Sequence, residues 1–290
     1  MTFTLRKLLN PIELNRLKTL RRLSRLVSSN GRSSLVIGAF ARDLLFYNRY
    51  DISTGAGTND MDVTIEIFSW SDFDAIAGKL ADIGFKQEKL PEHPEKFADT
   101  NGVELDMIPF GGISGNSKTL IWPDGSPWNT MGIKEALENS WSLSLGTDKI
   151  NVASAASIVM MKIFAVTDRP DDRKQKDVRD IKFILRNYLD IGNRRRLAKG
   201  AGKHKFLIEA EGDLDMATAR LMGFDIGVML THETFSALES ILDNETKSHS
   251  RCVITHELGK YFNGDFKESR KCLSSLLMGT REGYKGKTSK

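Results

Sequence analysis

The chain has 290 residues, 40% hydrophobic and 28% charged, with a formal net charge of +4 at pH 7, which is enough apolar material for one large core or two ordinary ones. No run approaches the roughly 20 apolar residues of a membrane span, and Met1-Thr2-Phe3-Thr4-Leu5-Arg6 lacks the apolar stretch of a secretory signal, so a cytoplasmic protein without a membrane partner is expected. Cys252 and Cys272 have no zinc spacing and are expected as free thiols, and five scattered histidines without an HxxxH or HxH pair argue against a histidine metal site.

Residues 5–28 carry Leu5, Leu8, Leu9, Ile12, Leu17, Leu20, Leu23 and Val27 among basic residues, an amphipathic helix entered at Pro11. Ser34-Leu35-Val36-Ile37 reads as a short buried strand ended by Gly38, and Ala41, Leu44, Leu45 and Tyr47 follow with one or two helical turns. A loop leads through Gly55-Ala56-Gly57 to the strand at Asp60. Ser71 and Asp74 have the spacing of a capping box before a helix with Phe73, Ile76, Ala77, Leu80 and Ile83 inward, stopped at Gly84. Phe85 to Leu90 and Lys96 to Asp99 read as strand pieces joined across Pro91 and Pro94, and Val103 to Ile108 as another strand. The glycine-rich segment from Gly111 to Asn116 matches no phosphate-loop spacing and reads as a flexible loop. A turn is expected at Trp122-Pro123-Asp124-Gly125, and a hairpin over Trp141 to Leu145 and Lys149 to Val152.

From Ala153 the composition turns helical, with Ile158, Met161 and Ala165 on one stripe, Lys162 beside it and Arg169 returning to that face. Asp171 to Lys176 reads as a charged loop and Asp177 to Tyr188 as a helix with Asp177 and Asp180 on one flank. Four further helices are expected over Asp213 to Leu230, Glu233 to Asn244, Val253 to Phe262 and Phe266 to Met278. Arg194, Arg195, Arg196, Lys199, Lys203 and Lys205 crowd one segment without an acid, and Lys285, Lys287 and Lys290 close the chain. Such clusters mark either solvated surface or contact with a phosphate backbone.

The segment around Asp60 carries the chemistry. Side chains alternate faces along a strand, so Asp60 and Asp62 point one way while Met61, Val63 and Ile65 point the other. Two adjacent carboxylates repel unless a cation lies between them, or unless both simply face water in a loop. Asp106, with Glu104, alternates with apolar residues on a second strand. Three acids from two strands facing one side form the ligand set of a magnesium site.

Taken in order, Gly38-Ala39-Phe40-Ala41-Arg42-Asp43, Thr58 with Asp60-Met61-Asp62-Val63, Leu105-Asp106-Met107-Ile108-Pro109-Phe110, Lys162-Ile163-Phe164-Ala165 with Arg169, and Lys176-Asp177 with Asp180 resemble the nucleotidyltransferases of the AbiEii/AbiGii (MenT-like) toxin group. That group lies within the DNA polymerase beta-like superfamily. The resemblance covers about residues 34–190 and implies an α+β fold, a mixed sheet flanked by helices over 1–152, followed by a mainly helical domain over 153–290 that completes the active site with Lys162 and Asp180. It implies a magnesium-dependent transferase, with two Mg2+ ions, that moves a nucleoside monophosphate from a nucleoside triphosphate to an acceptor hydroxyl. RNA, tRNA in particular, is the acceptor for some of the group, and a cognate antitoxin is the usual partner.

On that resemblance Asp60 and Asp62 bridge the ions and Asp106 holds the ion that activates the acceptor hydroxyl, while Glu104 stays at the surface. Gly38 and Ala39 bring backbone donors at a helix N-terminus to the triphosphate. Arg42 either clamps those phosphates or pairs with Asp43. Lys162, an ammonium among apolar residues, needs an anion, either nucleotide phosphate or Asp180. Arg169, Lys176 and Asp177 serve the nucleotide or a structural ion-pair network. Two departures stand out: Ala39 replaces the usual Gly or Ser of the turn, so that Thr58 becomes the candidate hydroxyl, and the gap from Gly38 to Asp60 is longer than usual. Ala39 keeps open a nucleotide- or RNA-binding module without catalysis. A carboxylate-metal phosphohydrolase is a third reading, against which the lack of accompanying histidines weighs.

Overall fold

The structure, a computed structural model, describes residues 1–290 apart from 8, 56, 57, 59, 88–94, 170, 201–203, 248–251, 261, 289 and 290, and apart from the side chains of 171, 172 and 288. The turn expected at Ala56 and Gly57, the strand end at Glu88 to Leu90, the Pro91 and Pro94 connection, Lys203 and Lys290 therefore lie outside the described residues. The chain divides into two compact units, Met1–Ser154 and Ala155–Lys290.

The first unit is built on an eight-stranded mixed sheet. Its strands are β1 (Thr2–Phe3), β2 (Ser34–Val36), β3 (Asp60–Glu66), β4 (Phe85–Gln87), β5 (Lys96–Asp99) and β6 (Glu104–Phe110), while β7 (Thr119–Ile121) and β8 (Pro127–Asn129) form a separate hairpin and β9 (Trp141–Leu145) and β10 (Asp148–Val152) complete the sheet. The order is β1-β9-β10-β2-β3-β6-β5-β4. β3 runs antiparallel to β2 and parallel to β6. Strand β1 had no signal in the sequence because two residues are too few to show alternation. Phe3 nevertheless anchors it, buried and edge-on to Trp141 at 6.2 Å.

Helix α1 (Pro11–Ser29) begins later than its apolar pattern: Asn10 and Glu13 cap each other, and Pro11 occupies the first turn, where its missing N–H costs nothing. Leu5 and Leu9 precede the helix and Ile12 is 64% exposed, so the buried stripe is Leu17, Leu20, Leu23 and Val27. Helix α2 (Gly38–Asp43) runs directly into a π-helical turn, Leu44–Arg49. The crossover that parallel β3 and β6 require contains α3 (Trp70–Lys79), which is capped two residues earlier than expected. Ser69, not Ser71, accepts from the Asp72 amide at 3.2 Å. The earlier start brings Trp70 into the helix, with its ring 5.5 Å from Phe73 and 5.3 Å from Trp122, and such ring pairs add about 0.5–1.5 kcal/mol beyond their burial. Gly84 closes the end of this segment at a φ of 90°. The glycine-rich segment is tighter than expected, holding a 3-10 turn over Gly112–Ser114, and α4 (Ile133–Glu138) is a short helix without a sequence forecast.

The second unit has no strand among its described residues. It comprises α5 (Ala155–Asp168), α6 (Asp171–Asn187), α7 (Arg194–Lys199), α8 (Phe206–Glu209), α9 (Leu214–Gly227), α10 (His232–Thr246), α11 (Val253–Gly259) and α12 (Phe266–Thr288). Residues 171–176, expected as a loop, are the first turns of α6. Their polarity reflects a face open to water, where Arg173, Gln175 and Lys176 are exposed, and helix periodicity has no apolar stripe to show there. The basic segment after Asn193 is also helical, and Arg196 is held by Asp225, which in turn accepts from the buried Tyr188 hydroxyl. Burial, reinforced by Asp225, raises the Tyr188 phenol well above its usual range. Cys252 and Cys272 are buried free thiols, and burial pushes Cys272 up to about 12. Helices α9 and α12 touch through glycines: a side chain at Gly223 or Gly227 would meet the backbone of Leu276 to Tyr284, and one at Gly279 or Gly283 the backbone of Arg220 to Val228. No described helix is long and apolar enough to cross a membrane.

Candidate functional site

Strands β3 and β6 lie side by side in parallel register, with Asp60 opposite Glu104 and Asp62 opposite Asp106. On one face Met61, Val63, Ile65, Leu105 and Met107 are sealed in the core at 0–1% exposure, so the alternation leaves Asp60, Asp62 and Asp106 together on the other. One carboxylate oxygen from each can be chosen so that all three lie within 4.8 Å of one another. Octahedral magnesium binds oxygen at about 2.1 Å, which puts neighbouring ligands about 3 Å apart and opposite ones about 4.2 Å apart. The donor set is oxygen only, hard and anionic, and it fits a divalent cation of that kind. Glu104 is exposed and stands outside the cluster.

Sequence reasoning missed Lys96. It sits on β5 directly opposite Asp106, and its ammonium lies 3.3 Å and 3.5 Å from the two carboxylate oxygens. Burial pushes the Asp106 carboxyl above its usual value, Lys96 pulls it back down, and Asp60 and Glu95 add to the rise. Burial alone would lower the Lys96 pKa, but the attraction of Asp106, with Glu95 and Asp60, outweighs it and the net shift is upward. The two rises are compatible, since desolvation dominates at the acid and attraction at the base. Asp106 must lose its proton to bind a cation, and Lys96 favours the ionised form. Lys96→Met is therefore expected to move the acid limb of Mn2+ binding to higher pH, as read by calorimetry across the acid range; a limb that stays put or moves lower would remove Lys96 from the site.

Gly38 opens α2 at a φ of 66°, and a Cβ there would overlap the Asp62 carboxylate. The glycine thus brings the start of α2 against the acid cluster, at a φ that side chains disfavour. Ala39 follows in the first turn of α2. Arg42 is buried and bonds Asp43 through Nε at 3.0 Å and Nη2 at 2.7 Å, so of its two expected roles the ion pair is the one observed. The Thr58 hydroxyl donates to Asp60 Oδ1. Thr58 also lines a cleft of about 520 Å³ with Phe40, Tyr47, Asn48, Arg16 and Glu13, within the size range of small-molecule sites.

In the second unit, Lys162 is clamped between Asp177 at 2.8 Å and Asp180 at 2.7 Å, and Arg169 reaches Asp177 at 3.0 Å. Two cations thus balance two buried acids. Burial would lower the Lys162 pKa, but Asp180 and Asp177 outweigh it and the shift is upward. Removing one member would leave a buried charge exposed to the desolvation cost that the pair shares. Lys176 is exposed and takes no part in this network. A second acid group, His204 with Glu209 and Glu282, differs in kind: Arg220 already bonds both glutamates there. At the aspartate cluster Lys96 is held against Asp106.

No protein-family model matches the sequence, and no curated protein does. Among solved structures, an antigenic nucleotidyltransferase-like protein from Paracoccidioides brasiliensis is similar at 17% identity and a TM-score of 0.41, over 72% of this chain and 94% of that one. The antibiotic-resistance factor ANT(2'')-Ia is similar at 15% identity and a TM-score of 0.35, over 64% of this chain and 95% of that one. The CCA-adding enzyme of Thermotoga maritima, complexed with tRNA, is similar at 12% identity and a TM-score of 0.25, over 97% of this chain and 83% of that one. Likenesses of this size assign neither family nor activity.

Proposed function

We propose that the chain is a divalent-metal-dependent nucleotidyltransferase that moves a nucleoside monophosphate from a nucleoside triphosphate to an acceptor hydroxyl. The observation that carries this reading is the convergence of Asp60, Asp62 and Asp106 from neighbouring parallel strands, within 4.8 Å of one another. These three aspartates would hold Mg2+, which when bound supplies charge neutralisation on the phosphates and lowers the pKa of the attacking hydroxyl. Lys96 favours the ionised form of Asp106 against the pull of burial. Gly38 lets the Asp62 carboxylate lie against the start of α2, whose first N–H groups have no intrahelical partner and are the donors assigned to the triphosphate. Thr58 orients Asp60, and the cleft it shares with Phe40 and Tyr47 is the place assigned to the nucleoside. Lys162, Asp180 and Arg169 have the role of an internally balanced network in their own unit. The resemblance supplies the finer terms: two Mg2+ ions, an RNA acceptor such as tRNA, and the toxin half of a toxin-antitoxin pair.

The test is to incubate the protein with each of the four nucleoside triphosphates, Mg2+ and total RNA, following pyrophosphate and label transfer. Label on RNA with stoichiometric pyrophosphate is the expected result. Tight nucleotide binding with no pyrophosphate would make the protein a binding module instead, and release of inorganic phosphate would make it a hydrolase.

A further inference from the structure

Asn48 lines the cleft of about 520 Å³ beside the acid cluster. The residue is 4% exposed, and its surroundings accept its amide in one orientation. A carboxylate only accepts hydrogen bonds, and Glu13 takes the Asn10 backbone N–H on Oε2 at 2.9 Å and the Asn48 Nδ2 on Oε1 at 3.0 Å. Asn10 and Glu13 are the cap that starts α1, so the Asn48 nitrogen is tied to a fixed helix end. Turning the amide over would set oxygen against oxygen. The Asn48 Oδ1 accepts no hydrogen bond among the described residues. Nor is it sealed from solvent, and it therefore opens on the cleft. An acceptor on a buried residue costs stability unless water or a ligand donates to it.

The same cleft reaches the acid cluster: Thr58, which lines it, donates to Asp60, and Phe40 stands two residues after Gly38. On the proposed transferase reading, on which this inference rests, the phosphates lie at the aspartates and the start of α2. The ribose, bonded to the α-phosphate, then follows beside Phe40 and Thr58. Asn48 is eight residues beyond Phe40, at most about 12 Å along the helix, where the far edge of the base comes. We propose that Asn48 is the specificity-determining residue of the cleft, its Oδ1 accepting a hydrogen bond from the exocyclic amino group of adenine or cytosine. Adenine presents N6–H2 and cytosine N4–H2 as donors on that edge, whereas guanine O6 and uracil O4 are acceptors. A keto base would set its oxygen against Oδ1 and leave both unpaired, which is how a polar site rejects the wrong partner. Phe40 and Tyr47, with the Arg16 guanidinium 6.0 Å from the Phe40 ring centroid, offer flat surfaces, and stacking does not depend on which base is stacked. Affinity and choice thus come from different residues. A ribose hydroxyl is the other donor a nucleotide carries, and its attachment near the phosphates keeps it at the Thr58 end.

The experiment reads binding instead of turnover. The full-length chain, with Mn2+ and without RNA, is titrated by calorimetry with ATP, CTP, GTP and UTP. Two ATP analogues are added: purine riboside triphosphate, which lacks the 6-amino group, and dATP, which lacks the 2′-hydroxyl. ATP and CTP are expected to bind at least about tenfold more tightly than GTP and UTP; purine riboside triphosphate should lose that advantage and dATP should keep it. In Asn48→Leu, which removes the acceptor at similar volume, the four nucleotides should bind within about threefold of one another. Leucine also leaves Glu13 without a partner, so the melting temperature of the variant is measured alongside, and the analogue pair on the parent decides if the variant does not fold. Equal binding of the four nucleotides, purine riboside triphosphate that binds like ATP, or a folded Asn48→Leu that keeps the preference overturns the proposal. Loss with dATP alone moves the donor to the ribose and overturns it as well. The expected preference without pyrophosphate release, once RNA and Mg2+ are supplied, refutes the transferase reading alone, and transfer from all four nucleotides with equal affinity refutes the choice of base alone.

Discussion

Asp62→Asn is expected to lower nucleotide transfer by at least about 1000-fold, roughly 4 kcal/mol of barrier, while leaving the protein folded. Asparagine keeps the size of the side chain and one oxygen but removes the charge. Asp62 is the member of the cluster in direct register with Asp106 and in contact with Gly38, so the loss falls where both the cation and the start of α2 meet. Glu104→Gln is the matched control: it lies on β6 opposite Asp60 but is exposed, and its activity should stay within about twofold of the parent, as surface changes usually do. Pyrophosphate release, Mn2+ binding and thermal melting, measured on both variants, check the set. An Asp62→Asn protein that binds Mn2+ and releases pyrophosphate like the parent would end the proposed function.

Gly38 ties the backbone to the same chemistry. The sequence marks it as a turn glycine, and its positive φ agrees, but the tighter constraint comes from Asp62, whose carboxylate takes the space of a side chain at 38. That contact joins residues 24 positions apart and is invisible to local pattern. The same division runs through the site. Alternation in β3 and β6 revealed which acids share a face, because one side of each strand is buried and the other is not. It carried no information on register between two parallel strands, and so none on whether Asp62 would stand opposite Asp106 or Glu104. Lys96 was likewise hidden, since it enters through antiparallel pairing of β5. Residues 171–176 misled because a helix's solvated first turns and a charged loop have the same composition, and the cap moved from Ser71 to Ser69 because packing of Trp70 outweighed the local box.

The seam between α9 and α12 is the place where substitution should cost most in stability. Gly223 and Gly227 on one helix and Gly279 and Gly283 on the other repeat at four residues, a spacing present in the sequence but lacking a partner until the helices are placed together. Each glycine faces backbone: a Cβ at Gly223 would fall 2.9 Å from the Thr280 nitrogen and one at Gly279 2.9 Å from the Phe224 nitrogen, with a carbonyl oxygen closer still in both cases. Backbone of a neighbouring helix cannot swing aside as a side chain can, so the helices must separate. Separation would loosen the packing around Leu221, Met222, Leu273, Leu276 and Leu277, all buried. It would also strain the Arg220 to Glu282 ion pair that crosses the seam. Alanine favours a helix by about 1 kcal/mol over glycine in isolation, so propensity alone calls for stabilisation, and overpacking of about 1–3 kcal/mol per site calls for the reverse. With four sites facing backbone the steric effect should win: Gly223→Ala with Gly279→Ala is expected to destabilise by about 4–5 kcal/mol, near the top of the range for each site because nothing flexible can yield. Urea unfolding followed by circular dichroism measures it, with Gly286→Ala, where a Cβ meets nothing within 4 Å, as the control expected to be neutral or slightly stabilising. A double variant as stable as the parent would mean that α9 and α12 do not meet glycine to backbone, and that this seam is wider than its geometry states.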